Sequence, residues 1–259
     1  MTDPVHTSLD LGLQGQIVLV TGGVRGVGAG IAEVLAGLGA QPVVCARRTD
    51  GARWPAYACD VRDPDAVAGM LEQIVAEHGR LDAVVNNAGG SPFALAADAS
   101  ANYSAKIVGL NLLAPLAVAT AAHAVMSGRP GGGAIVNISS VSGHRPSPGT
   151  AAYGAAKSGL DNLTASLAVE WAPDVRVNSV IVGPVQTELA HLHYGDEEGI
   201  AAVGATIPMG RMALPSDVGH AVAFLLSPLA GYLTGSSILV HGGGEKPAFL
   251  DAANAGNAT

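Results

Sequence analysis

Two side chains four residues apart carry the sharpest chemical signal in the sequence. They are Tyr153 and Lys157, in the run Tyr-Gly-Ala-Ala-Lys. On a helix this spacing places both on one face, about one turn apart. An ammonium beside a phenol favours the phenolate and draws its pKa down from ~10, which makes the tyrosine a usable acid and base. Lysine is scarce: Lys106, Lys157 and Lys246 stand against ten arginines, so lysine at 157 is not background composition. The plainer alternative is a surface-helix lysine beside a packing tyrosine. Ser139 and Ser140 lie a short distance upstream, past the apolar run at 134–138.

A second constellation concerns phosphate. Thr21-Gly22-Gly23-Val24-Arg25-Gly26-Val27-Gly28 follows an apolar run and precedes a helical pattern. Gly22 permits a tight turn, Gly26 lets backbone approach a pyrophosphate, and Gly28 lets helix pack on strand. The helix that starts there presents unpaired N–H groups and the positive end of its dipole to the anion. A ribose-binding carboxylate at the end of the second strand would indicate NAD. The sequence has Cys45-Ala46-Arg47-Arg48 instead, with no acid until Asp50. The guanidinium fork suits a 2′-phosphate, and Arg25 within the loop could reach the same group. NADP(H) is therefore favoured, with NAD(H) as the alternative and solvated surface arginines as the bland reading.

These residues need a scaffold, and the sequence implies one. Short β-branched runs at 17–20, 42–45, 57–59, 81–86, 134–138, 175–182 and 237–240 alternate with helical patterns at 26–38, 65–78, 151–171 and 217–226 and a long one through Asn111 to Met126. Continuous apolar strands each followed by a helix mark a parallel sheet buried on both faces. The expected fold is α/β: one doubly wound (Rossmann) domain over 13–246, with about seven parallel strands and helices on both faces. Segments 1–12 and 247–259 read as tails, and 188–211 as a lid over the substrate. The stretch 110–126 is interrupted by Asn111, Pro115 and His123 and reads as a buried helix.

Composition excludes several classes. Of 259 residues 49% are hydrophobic, which leaves ample surface to bury and rules out disorder. A net charge of −8 argues against nucleic acid and anionic membranes. Two cysteines, Cys45 and Cys59, close one bridge at most and read as small buried hydrophobes. No segment reads as a targeting signal, so a cytoplasmic location is expected. His191 and His193 are two apart, but nothing nearby completes a metal-ligand set.

Taken together the motifs resemble the short-chain dehydrogenase/reductase family in its single-domain branch. The resemblance spans 13–244 and rests on Thr21-Gly-x3-Gly-x-Gly28, Asp60-Val61, Asn86-Asn87-Ala88-Gly89, Asn111, Ser140, Tyr153-x3-Lys157 and Gly183-Pro184-x2-Thr187. Carried onto these positions, it implies that Tyr153 exchanges the substrate oxygen's proton and that Ser140 hydrogen-bonds that oxygen. Lys157 would bind the nicotinamide ribose and lower the Tyr153 pKa, and Asn111 would hold a water in a relay to Lys157. Asp60 and Val61 would flank the adenine, while Asn87, Ala88 and Gly89 would line the adenine-side ribose. Gly183, Val185 and Thr187 would border the nicotinamide and its phosphate.

Two positions depart from the pattern. Val182 stands where proline is frequent, and His241 where aspartate is usual. The implied activity is ketone–alcohol interconversion by an NAD(P)-dependent oxidoreductase, closest in character to 3-oxoacyl-[acyl-carrier-protein] reductases. A catabolic NAD-dependent dehydrogenase of a steroid, lipid or secondary-metabolite alcohol is the alternative, and a non-catalytic dinucleotide sensor a reading of another class. The lid's apolar and histidine character suits a medium or bulky ketone. The resemblance also implies a homo-oligomer, dimer or tetramer, built on the helices that carry Asn111 and Tyr153.

Overall fold

The structure, a computed structural model, describes residues 10–253. Expectations for 1–9 and 254–259 lie outside these residues. The strands are β1 (Ile17–Thr21), β2 (Gln41–Ala46), β3 (Ala56–Ala58), β4 (Ala83–Asn86), β5 (Gly133–Ser140), β6 (Val175–Val182) and β7 (Ser237–Val240). They form one sheet in the order β3-β2-β1-β4-β5-β6-β7, every pairing parallel. The helices are α1 (Gly26–Gly37), α2 (Pro64–His78), α3 (Ala101–Val108), α4 (Ala114–Met126), α5 (Ala151–Trp171), α6 (His191–Tyr194), α7 (Glu197–Ala205), α8 (Pro215–Leu226) and α9 (Ala248–Ala252).

The two-residue period of the strands builds two cores. Ile17, Leu19, Val43, Ile135 and Val177 point to one face, where they meet Leu71, Ile74 and Val118 from α2 and α4. Val18, Val20, Val85, Val136 and Val180 point to the other and meet Ile31, Leu35, Val222 and Leu225 from α1 and α8. Each such side chain removed from water contributes about 1.5–3 kcal/mol, so both sheet faces are held firmly. The helical run Ala101–Met126 is long and apolar enough to cross a membrane. Here it packs on the sheet through Ala114, Val118, Ala119, Ala122 and Met126, as a core helix does. Cys45 and Cys59 are free and buried. Burial pushes the Cys45 thiol up to about 12.

Strand order reverses at β1, which pairs with β2 on one side and β4 on the other. In such sheets a crevice opens beyond the carboxyl ends of the strands at that point. The glycine loop after β1, the arginines after β2, Asn87 after β4 and Ser140 at the end of β5 therefore share one edge. Three local features differ from the sequence reading. β5 extends through Ser139 and Ser140, because both pair with β6 opposite Ile181 and Val182. The segment read as an irregular lid contains α6 and α7, and α9 lies within the segment read as a tail.

Candidate active site

The first two turns of α5 carry Tyr153 and Lys157 against the end of β5. Ser140 lies beside the Tyr153 hydroxyl, close enough to act on its proton. Ser140 Oγ also accepts the Ser142 amide at 3.2 Å, which fixes its rotamer in the turn after β5. Ser139 faces the other way: it is buried, and its hydroxyl donates to Asp161 Oδ2 at 2.8 Å. Spacing favours Ser140 over Ser139, and of the two it is Ser140 that stands beside Tyr153.

Lys157 is buried and donates from Nζ to the Ile138 carbonyl at 2.7 Å, with Nζ 5.7 Å from the Tyr153 ring centre. Burial loosens its proton to about 8, and the Asp161 carboxylate acts in the opposite direction. Tyr153 is held above its ordinary value, first by burial and also by Tyr194 of α6, against the pull of Ser140. The sequence reading had Lys157 draw Tyr153 downward, and here the direction is reversed. The lysine is turned to a strand carbonyl and is itself desolvated, so its charge does not offset the burial of the phenol.

Asn111 sits in a single π-helical turn, Gly109–Leu113, that joins α3 to α4. Such bulges concentrate at functional sites. Its side chain is fully buried and closes a two-way bond with Gly90: Oδ1 accepts the amide at 2.9 Å and Nδ2 donates to the carbonyl at 3.0 Å. Nδ2 also donates to the Ile107 carbonyl at 2.9 Å. Both amide protons are thereby used, so the side chain clamps the Gly89–Gly90 backbone. A Cβ on Gly89 would stand 2.7 Å from Asn111 Oδ1 and 3.5 Å from Lys157 Nζ. Only glycine leaves that space open.

At the glycine loop, Gly22 and Gly26 take positive φ of 65° and 58°. A Cβ on Gly28 would lie 2.5 Å from both the Gly22 carbonyl oxygen and Asn87 Nδ2. Asn87 is turned into the loop: Nδ2 donates to Thr21 O at 2.9 Å and Gly22 O at 3.3 Å. Thr21 Oγ1 in turn accepts the amides of Asn87 and Ala88, both at 2.9 Å. Asn87 is thereby a brace between β1 and the turn after β4. Val27 lies in the first turn of α1, and Arg25 is its exposed N-cap.

Arg47 and Arg48 stand exposed just past β2 and, among the described residues, neither makes a side-chain hydrogen bond or ion pair. Arg47 lies close enough to Asp60 to act on its carboxyl. Asp60 is held down to about 2, chiefly by Arg62, which binds it through Nε at 2.9 Å and Nη2 at 2.5 Å. Arg62 was not singled out from sequence; its basic character two residues after Asp60 was the available signal. Val61 beside it is buried.

The turn after β6 closes the site. A Cβ on Gly183 would meet His241 Cβ at 2.9 Å, so His241 packs directly on that turn. Val185 bridges to Ala213, and Thr187 approaches the loop, its Cγ2 being 3.9 Å from where a Gly26 Cβ would stand. Glu188 follows, and its Oε1 accepts the Gly26 amide at 3.0 Å. No sequence pattern pointed to that contact across 162 positions. A cavity of about 330 Å³ lies at the turn after β5, walled by Val141, Pro184 and Leu239 and rimmed by His144, Arg145 and His241. Among the described residues no cluster of His, Cys, Asp or Glu could hold a metal ion.

Known proteins share this arrangement. A family model described as enoyl-(acyl carrier protein) reductase matches residues 22–245. The chain is 35% identical to a 3-oxoacyl-[acyl-carrier-protein] reductase of Vibrio cholerae, over 90% of this chain and 98% of that one. It is 34% identical to a tropinone reductase homolog of Arabidopsis thaliana, over 92% and 93%. The ligand-free aldohexose dehydrogenase of Thermoplasma acidophilum superposes with a TM-score of 0.85 at 32% identity, over 89% and 94%. With its glycine loop, its Ser140–Tyr153–Lys157 cluster and its seven-stranded parallel sheet, the chain belongs to the short-chain dehydrogenase/reductase family of NAD(P)-dependent oxidoreductases.

Proposed function

We propose that the protein interconverts a ketone and a secondary alcohol with NADP(H), Tyr153 exchanging the proton on the substrate oxygen. The observation that carries this reading is the meeting of Tyr153, Ser140 and Lys157 at the carboxyl ends of the strands. In the reducing direction the Tyr153 hydroxyl gives its proton to the carbonyl oxygen, which Ser140 holds. A tyrosine held above its ordinary pKa is protonated at neutral pH, the state a donor needs. Lys157 binds ribose hydroxyls and supplies positive charge as the phenolate forms.

The residues suit a dinucleotide. At Gly22, Gly28 and Gly89 the backbone packs too closely for any Cβ, while Gly26 at the N-terminus of α1 stands in open space where an anion could approach. When bound, the nicotinamide supplies or takes the hydride. Arg47 and Arg48, exposed with no hydrogen-bond partner among the described residues, would bind a 2′-phosphate; Arg25 would add charge beside the loop. Asp60 and Val61 would bound the adenine, and Gly183, Val185 and Thr187 the nicotinamide side. The 330 Å³ cavity walled by Val141 and Pro184 would suit a medium-sized ketone. Buried free thiols fit a reducing cytoplasm, and assembly as a dimer or tetramer through α4 and α5 belongs to the same reading. The test is NADPH consumption against a broad panel of ketones at neutral pH. Consumption with at least one ketone supports the reading; none, with NADPH still bound, contradicts it.

A further inference from the structure

Asp161 lies one helical turn beyond Lys157, on the stripe of α5 that carries Tyr153, and it is nearly buried, with 12% of its side chain exposed. Its carboxylate gathers three elements. Ser139 of β5 reaches Oδ2 at 2.8 Å, Ser179 of β6 reaches Oδ1 at 3.1 Å, and His144 Nε2 from the turn after Ser140 reaches Oδ2 at 2.9 Å. A carboxylate only accepts, so both serine hydroxyls and the His144 Nε2–H must donate to it. Ser179, having given its proton to Asp161, accepts from Ser237 at 2.7 Å. The chain of bonds thus has one direction, and it ends on a negative charge behind the reacting cluster.

We propose that Asp161 is the positioning residue of this site: it ties β5, β6 and the turn after Ser140 to α5, and it is the counter-charge that keeps Lys157 an ammonium. This rests on the reading of Lys157 as the working cation. The geometry supplies the reason. Lys157 is buried, its hydrogen-bond partner is a neutral carbonyl, and a buried ammonium without an opposite charge sheds its proton. The titratable groups around it are Tyr153 and Asp161 on its own helix, with His144 facing Asp161 from the turn. Among the described residues, β5 presents Ser139, Ser140 and the Ile138 carbonyl to this cluster, β6 presents Ser179, and the π-helical turn Asn111. Of these, Asp161 is the charge found to act on Lys157.

The scarcity of lysine makes the test direct, because ¹³Cε-lysine labelling of the full chain gives signals from Lys106, Lys157 and Lys246 alone. The Lys157 signal is the one missing in Lys157→Arg. In the wild type it should titrate near about 8. In Asp161→Asn the midpoint should fall by about one pH unit, the order of effect of a nearby opposite charge, and Asp161→Glu should recover most of it. Ser179→Ala removes one bond to the same carboxylate but no charge, so it should cost thermal stability and leave the midpoint in place. Asp161→Ser is a second neutral variant should Asp161→Asn fail to fold. A Lys157 midpoint unmoved in the neutral variants, or moved equally by Ser179→Ala, overturns the proposal. The titration needs no turnover, so it fails or succeeds separately from the proposed reaction, which turnover by Tyr153→Phe tests.

Discussion

Glu188 Oε1 accepts the Gly26 amide at 3.0 Å, which seats a carboxylate from the segment after β6 on the N-terminus of α1. That N–H group is one of those a pyrophosphate would claim, and two anions cannot share it. Binding of a dinucleotide therefore requires Glu188 to leave. Glu188→Gln should tighten NADPH binding about two- to fivefold, matching the 0.3–1 kcal/mol of one charge at a helix N-terminus. Fluorescence titration reads this directly, and unchanged or weaker binding would show that the contact does not compete.

On the proposed reading, Arg47 should separate the two cofactors. A charge-assisted bond to phosphate is worth about 1.5–3 kcal/mol, so Arg47→Ala should weaken NADPH by roughly ten- to a hundredfold and leave NADH nearly untouched. Parallel titrations with both nucleotides measure it. Equal loss for both would place Arg47 outside the 2′-phosphate site.

Lys157 makes stability depend on pH in a defined direction. Its proton is held to about 8 in the fold against 10.5 for the ordinary group. Between these values the unfolded chain binds the extra proton, so stability rises with pH. Below about 8 the full cost of roughly 3 kcal/mol is present, and above 10.5 it is gone. Lys157→Met should therefore raise the urea midpoint at pH 7, after losing about 1–2 kcal/mol for the bond to Ile138. That advantage should shrink as pH rises above 8 and reverse by about 10.5, where only the lost bond to Ile138 remains. A constant difference across this range would mean the ammonium is not strained by burial.

Gly28 tests the glycine loop. A methyl group there meets the Gly22 carbonyl and the Asn87 amide at 2.5 Å, and Asn87 is already braced against β1. Gly28→Ala should cost about 1–3 kcal/mol of stability and lose dinucleotide binding, seen as a lower Tm and a flat NADPH titration. Full retention of both would place the cofactor elsewhere.

The local signals were legible in sequence. Strand runs, the glycine turn and Tyr153-x3-Lys157 each declare themselves within a few residues, because helix and strand periods are local properties. The lid helices left a readable trace as well. Asp196 caps α7 by accepting the Gly199 amide at 3.0 Å, and Glu197 and Glu198 fill its first turn. The contacts of Asp161 with Ser139 and Ser179, and of Glu188 with Gly26, left none. They join elements whose adjacency depends on how the sheet is wound. The direction of the Tyr153 shift was hidden for a related reason, since burial is set by packing and not by the i,i+4 spacing.

The most direct measurement compares wild type with Tyr153→Phe, following NADPH consumption with a ketone that the wild type reduces and NADPH binding on the same samples. Removing one hydroxyl should lower turnover by about 10²–10⁴-fold, the range of a lost general acid, while binding stays intact. Turnover close to wild type would contradict the assignment of Tyr153 as the proton donor.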